Sequence, residues 1–156
     1  MDTEALLRRS IEVAVENVRL GRGGPFGAVI AREGAIVAEG MNLVTSSLDP
    51  TAHAEVVALR RACQALGRFD LRGCEVFASC EPCPMCLAAC YWARVDRIWF
   101  AAAKNDAAAA GFDDSILYEE IPRAIDERRI PTRQLLWEEG QAPFHEWGRS
   151  PKRVEY

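Results

Sequence analysis

The sequence predicts an α/β fold, helices layered on a sheet, with its functional site at the C-terminal ends of strands. Three observations carry this. Short apolar runs at 28–31, 35–38, 74–78 and 96–101 have strand length. Segments with apolar residues at helical spacing lie between and before them. His53, Cys83 and Cys86, the residues best suited to hold a metal, fall near the starts of two such helices.

Taken in order, Leu7, Ile11, Ala14, Val15 and Val18 recur at helical spacing and predict an amphipathic helix over about 3–20. Asp2 or Thr3 caps it and Gly21 closes it. Gly21 to Pro25 reads as a tight loop, since no G-x-x-x-x-G-K-[ST] phosphate pattern is present. Phe26 follows, as a core aromatic or a pocket wall. The runs 28–31 and 35–38 flank Arg32-Glu33-Gly34 and predict a hairpin, with Asn42 just beyond it. Asp49-Pro50-Thr51 predicts an N-cap and a proline at the first helical position, opening a helix over about 50–65. Val56, Leu59, Ala62 and Cys63 would face inward. Residues 74–78 form a third strand, 84–93 a helix and 96–101 a fourth strand. Beyond Ala103 the pattern predicts a helical turn at 107–110 and a loop at 111–115 capping a helix over 116–121. Residues 134–137 read as a last strand or part of a helix, with the strand favoured, and a short helix at 143–147 follows. No repeat or second domain is visible, so 1–156 reads as one domain.

A chain of 156 residues buries a sizeable core without staples. A formal net charge of −4 and a pI near 5.3 argue against a polyanionic nucleic-acid partner. The acidic N-terminus is no secretory signal, and no apolar run approaches the ~18–20 residues of a membrane span. Six cysteines without an export signal fit a reducing compartment and metal or packing roles. The expectation is a cytoplasmic soluble enzyme with a small-molecule substrate and neither a nucleic-acid nor a membrane partner.

Cys83 and Cys86 form a C-x-x-C pair that grips one metal ion from one side. Pro84 suits the first position of a helix, which places Cys83 where unpaired N–H groups favour a thiolate. His53 supplies a third ligand, leaving a tetrahedral zinc one position for water. Glu55, two residues on, is placed to accept that water's proton. Two other readings compete. Cys80, Cys83, Cys86 and Cys90 spell an iron–sulfur run, although Tyr91 stands where that run carries proline and His53 and Glu55 go unexplained. Alternatively, Cys80 closes a structural Cys₃His zinc site. Cys63, Cys74 and Cys90 read as small buried hydrophobes, and His145 as a surface or packing histidine.

H-x-E followed by P-C-x-x-C is the signature of zinc-dependent nucleobase deaminases. On His53-Ala54-Glu55 and Pro82-Cys83-Pro84-Met85-Cys86 the sequence resembles the cytidine deaminase superfamily. It resembles the bacterial guanine deaminases more narrowly, at Gly23 to Val29, Asp49 to Glu55, Ala110 to Ser115 and the final Glu155-Tyr156, a match over nearly the whole chain. The resemblance implies a three-layer α/β/α fold around a five-stranded mixed sheet. It implies a homodimer in which the C-terminal segment, about 140–156, crosses to the partner, and one zinc per subunit on His53, Cys83 and Cys86. Glu55 is the implied catalytic proton carrier, and the reaction is hydrolysis of guanine to xanthine and ammonia. Implied substrate contacts are Phe26, stacking on the base, Asn42, Ala54, Asp114 and, in trans, Tyr156. Asp113 competes with its neighbour Asp114. Glu119 is a candidate second proton carrier or, equally, a solvated helix charge. A tRNA adenosine deaminase of the same fold and a structural metal-binding module remain alternatives.

Overall fold

Asp2 starts the first helix as an N-cap, its side chain accepting the Ala5 N–H at 2.7 Å, and α1 runs Thr3–Arg19. In the computed structural model, which describes residues 1–156, the chain divides into two units, Met1–Asp114 and Ser115–Tyr156.

In the first unit the hairpin forms as expected. β1 (Gly27–Arg32) and β2 (Ala35–Met41) are joined by Glu33 and Gly34, both at positive φ. A short α2 (Val44–Ser47), α3 (Ala54–Leu66), β3 (Glu75–Cys80), α4 (Pro84–Ala93), β4 (Arg97–Ala102) and α5 (Lys104–Ala109) follow. The sheet order is β2-β1-β3-β4, with β1 antiparallel to both neighbours and β3 parallel to β4. Strand alternation divides the core between the two faces. Ala28, Ile30 and Val76 pack with Ala58, Leu59 and Ala62 of α3 and Cys90 and Ala93 of α4. Val29, Ala31 and Phe77 pack with Leu6 of α1. Helices therefore cover both faces, the three-layer arrangement expected.

Four expectations need correction. The sheet has four strands, not five. Residues 134–137 pair with nothing: Leu135 and Leu136 are exposed, and Leu136 sits at φ 55°, which interrupts an extended run. The helix predicted from residue 50 starts at Ala54. Asp49 caps no helix, because its side chain accepts both the backbone N–H and the hydroxyl of Thr51 in a local turn. On α1 the buried face is Leu6, Ser10, Val13, Ala14 and Asn17, while Ile11, Val15 and Val18 stay 40–51% exposed. The apolar stripe of the sequence is thus displaced from the sheet-facing stripe. A Cβ at Gly27 would lie 2.3 Å from the Ser10 carbonyl, so α1 rides against β1 where only small groups fit.

The second unit carries α6 (Ser115–Glu120), single helical turns at Ile125–Glu127 and Glu139–Gln141, and α7 (Ala142–Arg149). Most of its large apolar side chains are exposed, including Ile130, Leu135, Trp137 and Phe144.

Gly40 of β2 sets the depth of α3. A Cβ there would lie 2.2 Å from the Ala54 carbonyl oxygen and 2.4 Å from the Ala58 nitrogen. Gly40→Ala should therefore push the first turn of α3 off the sheet at a cost of about 1–3 kcal/mol. Tm should fall by roughly 2–4 °C for each kcal/mol, with reduced zinc content beside it. Unchanged Tm and full zinc occupancy would show that α3 is not held by this contact.

Candidate active site and metal centre

Both ligand-bearing helices begin the same way. His53 is the N-cap of α3 and Cys83 the N-cap of α4, each with extended backbone and neither spending its side chain on the cap. Pro84 occupies the first turn of α4, where its missing N–H costs nothing. The two helix N-termini thus meet at one point with their first side chains free to converge.

They do converge. His53 Nδ1 lies 3.5 Å from Cys83 Sγ and 3.5 Å from Cys86 Sγ, and the three donor atoms lie within 4.8 Å of one another. A tetrahedral zinc with ordinary Zn–S and Zn–N lengths requires an N···S separation of roughly 3.6 Å. Two soft sulfurs and one imidazole nitrogen at that spacing fit zinc. Cys80 is not a fourth ligand, since its Sγ turns to the Ala103 carbonyl at 3.6 Å. Cys90 is buried in the core, its thiol pushed up to about 12 by burial, and is not a ligand to a cluster. Neither the closed zinc site nor the iron–sulfur run is built here.

Charge in the site follows from burial and from the neighbours. Cys83 ionises first, lowered to about 4, chiefly because the Cys86 thiol donates to it and further because His53 does. Cys86 is raised by that same hydrogen bond and by burial. His53 is raised mainly by its hydrogen bond with Cys83. Glu55 is 8% exposed, with its carboxylate 3.4 Å from Cys86 Sγ, and burial is the main cause raising it above the usual carboxylate range. A carboxyl so raised takes up a proton more readily than a solvated one.

The other predicted residues fall as follows. Asn42 is buried, its N–H donating to the Phe26 carbonyl at 3.1 Å. Its side-chain oxygen accepts from Gly24 N at 3.3 Å and Val44 N at 3.2 Å. Ala54 is fully buried in the core. Asp114 is half-buried and raised, first by burial and then by the negative charge of Cys83, whereas Asp113 is exposed. Glu119 and Tyr156 belong to the second unit. Glu119 is an exposed charge on α6, 3.8 Å from Arg129, and Tyr156 is the exposed last residue. His145 is exposed on α7. One residue escaped the sequence reading: Phe112, whose ring meets Phe26 edge-on at 5.0 Å and 87°. Its place beside Asp114, in a loop turned by Gly111 at positive φ, was the available signal.

Residues 1–102 match the cytidine and deoxycytidylate deaminase zinc-binding region. The chain belongs to that family. It is a zinc-dependent hydrolytic deaminase, and the His53, Cys83 and Cys86 cluster is suited to binding one zinc. The chain is 52% identical to the guanine deaminase of Bacillus subtilis (strain 168) over 156 residues, all of both chains. The crystal structure of the guanine deaminase from Bacillus subtilis superposes with a TM-score of 0.98 over 100% of this chain and 99% of that one. A guanine deaminase structure from Nitrosomonas europaea matches 72% of this chain and 65% of that one at 34% identity, TM-score 0.69. The tRNA-specific adenosine deaminase of Aquifex aeolicus is 42% identical over 78 residues, about half of each chain.

Replacing a ligand and replacing the base should separate cleanly. Cys86→Ser should strip zinc and turnover together. Glu55→Gln should keep about one zinc per chain and lose at least roughly 10²–10⁴-fold in kcat. Metal analysis beside an ammonia assay reads both, and substantial turnover by Glu55→Gln would remove its proton role.

Proposed function

We propose that this enzyme hydrolyses guanine to xanthine and ammonia, using Glu55 as its proton carrier. The single strongest support is the full-length 52% identity to a guanine deaminase. Held by His53, Cys83 and Cys86, zinc would activate water as a nucleophile at neutral pH.

Glu55 would accept one proton from the attacking water and hand it to N3 of the base as the C2–O bond forms. It then takes the second proton and delivers it to the exocyclic nitrogen as the C2–N bond breaks. Of the two water protons, one ends on N3 of xanthine and one on ammonia, so the atoms balance. Asp114 accepts from the N1–H of guanine, a donor that adenine lacks. Asn42 has its side-chain oxygen engaged by two backbone amides and offers its NH₂ to O6. Phe26, braced by Phe112, stacks on the ring, and Ala54 belongs to the packed floor.

The assembly part of the proposal is a cytoplasmic homodimer in which about 140–156 closes the partner's site, bringing Tyr156 there in trans, with Glu119 a second proton carrier. The exposed apolar side chains of the second unit support a covered surface in the assembly. The acidic charge weighs against a tRNA substrate, as do the tRNA-deaminase matches, which reach 42% identity over half of the chain or 35% over 71% of it.

Ammonia release from guanine, guanosine, adenine, cytosine and an adenosine-containing stem-loop tests the substrate directly. Guanine should be the preferred substrate, and activity confined to the stem-loop would overturn the proposal. Asp114→Ala should cut kcat/KM for guanine roughly ten- to hundredfold with zinc and fold retained; the same loss at Asp113→Ala instead would reassign the contact. For the exchange, Glu55→Gln protein and protein lacking Tyr156 are mixed after separate purification and refolded together. Turnover should return in the mixture, and its absence would place each tail over its own subunit.

A further inference from the structure

Asn17 is almost completely buried, 1% exposed, on the sheet-facing side of α1. A buried amide on a helix interior face is a costly choice unless its hydrogen bonds serve something. Its Nδ2 donates to two carbonyls at once, Gly24 O at 2.9 Å and Asn42 O at 2.8 Å. Both partners are acceptors, so they fix which end of the amide carries the NH₂. Its Oδ1 is buried with no partner, which leaves the two carbonyls as the contacts that orient the side chain.

The two residues that Asn17 grips also grip each other. Gly24 N donates to Asn42 Oδ1, and a Cβ on Gly23 would strike the Asn42 carbonyl at 2.1 Å. Asn17, the glycine loop and Asn42 therefore form one closed ring of hydrogen bonds. Held in that ring, the side chain of Asn42 has its oxygen engaged and only its NH₂ left for a ligand.

We infer that Asn17 is a positioning residue that makes Asn42 a pure donor and so selects a 6-keto purine. The inference rests on the substrate reading above, in which the NH₂ of Asn42 meets O6. Without Asn17, two buried carbonyls lose their donor and the loop relaxes. Asn42 Oδ1 then keeps the Val44 N–H at 3.2 Å as its one secured donor, so the amide is held by a single bond and its NH₂ is aimed less firmly. Loss of Asn17 should thus erase discrimination at the 6-position more than it slows the chemistry.

The test compares guanine with 6-thioguanine, which keeps N1–H and the 2-amino group and replaces O6 by a weaker sulfur acceptor. Wild type should prefer guanine in kcat/KM. In Asn17→Ala that preference should shrink by roughly two- to tenfold, through KM for guanine more than kcat, with zinc still bound. Asn17→Ser retains one donor and should give an intermediate ratio, which decides the matter if the alanine variant does not fold. Gly23→Ala, which displaces Asn42 from the other side, should lower the ratio as well. A purely structural Asn17 would lower Tm in Asn17→Ala or Asn17→Ser and leave the ratio as in wild type, overturning the inference alone. Wild type that releases no ammonia from guanine would overturn the substrate reading and the 6-keto selection with it.

Discussion

The active site depends on one constraint, that two helices begin at the same point in space. His53 and Cys83 are thirty residues apart in sequence and are each the N-cap of a helix. The histidine nitrogen meets two sulfurs at 3.5 Å only while α3 and α4 keep their depth on one sheet face. Gly40 fixes that depth for α3 by admitting the Ala54 carbonyl where any side chain would collide. On α4, Pro84 fixes where the helix starts, and Arg94 at φ 56° closes it. The ligand geometry is thus a consequence of helix-to-sheet packing, with little contributed by flexible loops.

The same arrangement sets the electrostatics. Unpaired N–H groups at two helix starts favour negative charge, which suits a thiolate at Cys83. Burial opposes charge on Glu55, and there burial dominates and raises the carboxyl. Within one small site the Cys83 thiol is thus lowered, chiefly by the Cys86 hydrogen bond, while the Glu55 carboxyl is raised by burial. Around them, the loop that carries Asn42 is built on its own hydrogen bonds, with Asn42 accepting from two backbone amides and held in turn by Asn17.

The elements written locally in the sequence were read correctly. Pro84 and the cysteine spacing located α4 within its actual bounds, and Glu33-Gly34 located the hairpin. Elements whose ends depend on competing partners were misplaced. Asp49 looked like a helix cap, yet its own neighbour Thr51 satisfied it, and α3 began four residues later than predicted. The run at 134–137 has extended-chain character, but a strand exists only with a partner, and none pairs with it here.

By itself the sequence determined the chemistry: a metal-binding histidine and two cysteines, a carboxylate beside them, and the order of strands and helices that carries them. Those choices are readable because ligand type and local spacing are properties of the chain. Tertiary structure decided between an open and a closed metal site, since Cys80 has the right spacing and turns its sulfur to the Ala103 carbonyl. It alone decided that the buried face of α1 runs through Ser10 and Asn17 instead of Ile11 and Val15, because close approach at Gly27 admits only small groups there. A polar residue facing inward on a helix looks like an exception in the sequence. Only the fold shows the two carbonyls that it is there to hold.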